Sequence, residues 1–121
     1  MADIDKLTQL SLQDLENAFL AAADIAYRGD DSGDAALSAM SKELLHRGPD
    51  GEECARRLFG HPNPEVRLSL AHAAFAATWE VALAAQTMRA MLESTEGNGW
   101  YALWARKALI HWSDRCGPIP E

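Results

Sequence analysis

A chain of 121 residues with a net charge of −7 fits one domain and is long enough to bury a core without metals or disulfide staples. Its negative balance repels nucleic-acid phosphates and anionic lipid, which argues against those two classes of partner. No stretch approaches the ~20 apolar residues of a membrane span. Cys54 and Cys116 lack a CxxC spacing, and no basic start followed by an apolar core precedes them, so a cytoplasmic location is expected. Alanine is abundant, β-branched residues are few, and no window alternates with period two. The class is therefore all-α.

In chain order, Ile4, Leu7 and Leu10 allow about one helical turn before a break. Ser11 restarts the helix, with Asp14 completing a capping-box-like start. Leu12, Leu15, Phe19, Ala22 and Ala26 share one face, and Gln13, Asn17, Asp24 and Arg28 the other. Residues 29–33 read as a loop, and Asp34 caps a second helix to about residue 47 that buries Leu37, Met40, Leu44 and Leu45. Gly48-Pro49 stops it. A short helix over 50–59 turns Cys54, Leu58 and Phe59 inward and Arg56 and Arg57 outward.

The sharpest local grammar lies in His61-Pro62-Asn63-Pro64-Glu65-Val66-Arg67. Asn63 can accept from the first free amides, Pro64 pre-sets φ at the first helical position, and Glu65 complements the helix dipole. A helix over 64–77 follows, with Arg67 inside its apolar arc, where it needs a partner acid. Glu80 is the nearest candidate. Thr78 is read as the cap of the next helix, over 79–93, whose apolar positions Val81, Ala84, Ala85, Met88, Met91 and Leu92 suit an antiparallel pair with its predecessor. After a glycine-rich turn at 94–99, a last helix over 100–114 carries Trp100, Tyr101, Trp104, Ala105, Ala108, Leu109 and Trp112 over about half its circumference. Residues 117–121 form a tail, leaving 1–116 as the single domain.

Pro-x-Val-Arg opening an alanine-rich helix that a second helix soon follows resembles a HEAT-type α-solenoid repeat. A faint echo sits at Ala105-Arg106-Lys107-Ala108-Leu109, near the ~40 to 47 residue period of such arrays. The order of the pieces is also similar to a small bacterial family of HEAT-like domains of unknown function. That resemblance implies a compact HEAT-like helical-repeat bundle of five or six helices, and it implies no chemistry.

His46, His61, His72 and His111 sit on separate elements, and no pair has the spacing of a zinc-binding helix. Cys54 with His61 lacks a third group for metal or nucleophile chemistry. No catalytic, cofactor or metal site is therefore expected. Residues 1–34 hold eight acids against Lys6 and Arg28, which suits a basic protein partner. The expectation is a non-enzymatic protein–protein interaction module. Its sharpest version is an inhibitor or immunity-type protein that masks a basic bacterial toxin or effector through Asp14, Glu16 and Asp24. Trp100, Trp104 and His111 on the last helix form a second partner surface, through which a homodimer is expected. Asn63, Pro64, Arg67 and Glu80 are read as structural. The alternatives are a small-molecule-binding or hydrolytic enzyme using His111 and an acid such as Asp114, and a nucleic-acid binder.

Overall fold

The computed structural model describes residues 7–29 and 34–119. Ile4, the loop acids Asp30 and Asp31 and the end of the tail at Pro120 lie outside them. The described residues form six α-helices and one 3-10 turn, with no strand among them: α1 (Leu12–Tyr27), α2 (Asp34–His46), α3 (Pro49–Leu58), α4 (Pro64–Ala77), α5 (Val81–Met91), the 3-10 turn (Glu96–Gly99) and α6 (Trp100–Cys116). Residues 7–9 are also helical. The chain divides into two compact units, Met1–Leu70 and Ala71–Glu121, with the boundary inside α4.

In the first unit the capping signals act as their chemistry dictates. The Asp14 amide donates to Ser11 Oγ at 3.1 Å and starts α1. α1 packs on α2, and α2 on α3, with Leu15, Phe19, Leu37, Leu44, Ala55 and Leu58 buried. Met40 and Leu45, expected in this core, are only half-buried; the buried neighbour is Ser41, whose hydroxyl donates back to the Ser38 carbonyl at 3.0 Å and so needs no water. Arg47 donates to Glu43 Oε2 at 2.6 Å and to the Leu7 carbonyl at 2.7 Å, tying the opening turn to the end of α2. Gly48 takes a left-handed φ of 73° as N-cap of α3, and Pro49 begins that helix rather than merely ending the one before. Gly51 sits where a Cβ would overlap the Leu44 carbonyl oxygen, so only glycine lets α3 approach α2 this closely.

In the second unit α5 packs on α6. α5 buries Val81, Ala84, Ala85, Met88 and Met91, and α6 buries Tyr101, Ala105, Ala108 and Leu109. Phe75 stacks on Trp112 with ring centroids 5.2 Å apart. Thr78, expected to cap the next helix, does not do so. Thr78 is left-handed (φ 53°) and closes α4: its own amide donates to the Phe75 carbonyl and the Trp79 amide to the Ala74 carbonyl, a Schellman-type end. α5 then starts at Val81, with Glu80 as its N-cap.

Candidate functional site

Among the described residues, two places gather chemistry-bearing side chains, one in each unit. In the first, α1 presents Glu16 and α3 presents Cys54 and Arg57. Arg57 grips Glu16 with both terminal nitrogens, Nη2 to Oε1 at 2.8 Å and Nη1 to Oε2 at 3.2 Å, the fork geometry that guanidinium and carboxylate share. Cys54 Sγ donates to Glu16 Oε1 at 3.1 Å. The Arg57 hydrogen bond holds the Glu16 carboxyl below its usual range, against the opposing effect of burial. Burial and the neighbouring carboxylate push the Cys54 thiol up to about 12. A thiol held protonated in this way is neither a nucleophile nor a ready metal ligand. Among the described residues no group of three or more His, Cys, Asp or Glu side chains is placed to hold a metal ion. The trio is a latch between α1 and α3.

Beside it, an open cleft of about 460 Å³ is lined by Leu20, Asp24, Tyr27, His61, Pro62, Asn63 and Pro64. Local hydrogen bonds shape the turn there. The Asn63 amide donates to His61 Nδ1 at 3.0 Å, which leaves the proton of the neutral ring on Nε2. Asn63 Oδ1 accepts from the Glu65 amide at 2.9 Å, and Pro64 is fully buried. Asp24 spends its carboxylate on Arg28, 2.8 Å away on the next turn. Of the three acids expected to meet a partner, Asp14 is exposed, while Glu16 and Asp24 carry these intramolecular bonds. Arg67 reaches the Pro62 carbonyl at 3.5 Å, and its Nε is buried without a hydrogen-bond partner among the described residues. Glu80 belongs to the second unit.

In the second unit the site is a surface. The side of α6 away from Tyr101, Ala105 and Leu109 carries Trp100 at 53% exposure, Leu103 at 44%, Trp104 at 37% and Ile110 at 53%. The two indoles meet edge to face at 5.6 Å, and Lys107 Nζ lies 5.1 Å from the Trp104 ring centroid. His111 is exposed, and its Nε2 faces Arg115 Nη1 at 3.4 Å. Desolvation, reinforced by the charge of His111, lowers the pKa of His72 on α4.

The sequence singles out Trp100, Trp104 and His111, with Lys107 on their side, while Leu103 and Ile110, which complete the same face, are not among the expected residues. Leu103 lies three residues after Trp100 and Ile110 three after Lys107, and that spacing was the available signal. Nothing local announced the Glu16, Cys54 and Arg57 trio. Among the described residues no helix is long and apolar enough to cross a membrane. Compared with protein families, curated proteins and solved structures, the chain matches none.

Proposed function

We propose that this chain is a non-enzymatic protein-binding module whose docking surface is the exposed face of α6. The observation that carries it is the grouping of two tryptophans, a leucine and an isoleucine on one solvent-facing side of a helix whose other side already supplies its unit's core. Scattered exposed apolar residues need no explanation, but contiguous ones mark contact surfaces, and tryptophan is the type most enriched where binding energy concentrates. The net charge of −7 disfavours nucleic acid as the ligand. The test is affinity capture from native extract with the tagged chain and with its Trp100→Ala, Trp104→Ala double variant. A protein retained by the first and lost by the second is expected; identical retention overturns the reading.

The inhibitor version, in which the acidic N-terminal third masks a basic toxin or effector, is supported by the charge asymmetry of the sequence. Because Glu16 and Asp24 have partners within the chain, Asp14→Lys is its cleanest probe, and capture unaffected by that change would count against it. The HEAT-like reading of the bundle rests on Pro64, Val66 and Arg67 opening α4. An experimental structure in which α4 and α5 do not lie antiparallel would exclude it.

A further inference from the structure

Resting on the reading of α6 as a docking face, the order of side chains along its open side points to what docks there. Trp100, Trp104, Lys107 and His111 follow one another at intervals of four, three and four residues, and all are exposed. That spacing keeps a seam turned toward a partner helix in a coiled coil. Leu103 and Ile110, both exposed, widen the seam along one edge. α6 therefore carries two seams, one closed by its own unit and one open.

The open seam is complementary to itself in one orientation. Turned antiparallel about a two-fold axis passing between Ala105 and Arg106, Trp104 falls opposite Lys107 of a second copy, and Trp100 opposite His111. Each layer then joins an indole to a basic side chain, and symmetry forms each layer twice. The pairing is chemically reasonable because Lys107 already rests on the Trp104 ring within the chain. A parallel, in-register pairing would set Lys107 against Lys107 and His111 against His111, like against like. Asp114, the next position along the seam, passes beyond the start of the partner helix at Trp100 and meets no layer.

We propose that α6 pairs antiparallel with α6 of a second copy through Trp100, Trp104, Lys107 and His111, closing an isologous dimer. Mass in solution is measured by sedimentation across a concentration series. The mass is expected to rise from one chain to two. Trp104→Ala and Lys107→Glu, both surface changes, are each expected to weaken the dimer at least about tenfold with an unchanged helical circular dichroism spectrum. In a Cys116→Ser background, Trp104→Cys mixed with Lys107→Cys is expected to cross-link through a short bismaleimide. In the unaltered chain the two Cys116 thiols stand roughly 30 Å apart at 1.5 Å rise per residue and are expected not to cross-link.

A single-chain mass at every concentration, a dimer indifferent to both substitutions, or ready Cys116 cross-linking would each overturn the proposal. A monomer that still captures a different protein through Trp100 and Trp104 overturns the dimer and leaves the docking surface standing. A monomer that captures none overturns both.

Discussion

Glu16 on α1 and Arg57 on α3, 41 residues apart in sequence, meet in a two-pronged ion pair whose shorter arm is 2.8 Å. The carboxylate side chain is 13% exposed and the guanidinium 61%, so the acid is the enclosed partner and the arginine the lid. That asymmetry gives the pair its consequences. Exposed pairs are worth ~0–1 kcal/mol, but a half-enclosed carboxylate stripped of its donor is more costly than the pair is valuable.

Glu16→Gln is expected to lower stability by about 1 to 2 kcal/mol, by loss of charge-assisted hydrogen bonds. It also removes a pH dependence. The folded-state pKa of Glu16 lies below its ordinary 4.5, so its contribution is fully present above about that pH and fades as pH falls through the depressed folded value. Urea titrations at pH 7 and pH 3 are expected to show a difference between wild type and variant that shrinks at the lower pH. A constant difference would refute the assignment.

Burial, together with the same carboxylate, governs Cys54. With its thiol near 12 rather than the ordinary 9, Cys54 holds roughly a thousandfold less thiolate than a free cysteine at the same pH. Alkylation of the native chain at pH 8 is expected to be biphasic, with exposed Cys116 fast and buried Cys54 slow. Glu16→Gln is expected to speed the slow phase. Equal rates for the two thiols would contradict the geometry.

Gly51→Ala tests the contact of α2 with α3. A methyl group there meets the Leu44 carbonyl, backbone that cannot swing aside, so a loss of about 1 to 3 kcal/mol is expected from overpacking. The thermal midpoint measures it, and an unchanged midpoint would mean that the helices stand farther apart.

Thr78→Gly tests the end of α4. A β-branched residue at φ 53° is strained, and glycine relieves this while keeping both backbone hydrogen bonds. A gain of up to about 1 kcal/mol is expected, whereas Asn63→Ala, which removes the acceptor of the Glu65 amide, is expected to cost about 1 kcal/mol. Opposite signs in chemical denaturation would support both assignments.

The helices and their class were written in the sequence because the signals are local. Ser11 and Asn63 accept from amides within a few residues of themselves and Pro64 fixes its own φ, and such local effects act wherever the helix forms. Thr78 shows the limit of that logic. A hydroxyl before a helical run reads as an N-cap, yet the same residue can end the previous helix in a left-handed turn, and which occurs depends on where the chain must go next. Tertiary structure decided the rest. Periodicity along α6 groups residues into faces but does not say which face is buried, since apolar side chains surround most of that helix. Packing on α5 took Tyr101, Ala105, Ala108 and Leu109 and left Trp100 and Trp104 outside. Likewise, Glu16 reads in sequence as one more acid on a charged helix. Only the fold brings it to Arg57 and Cys54, because a partner some forty residues away leaves no mark on local spacing.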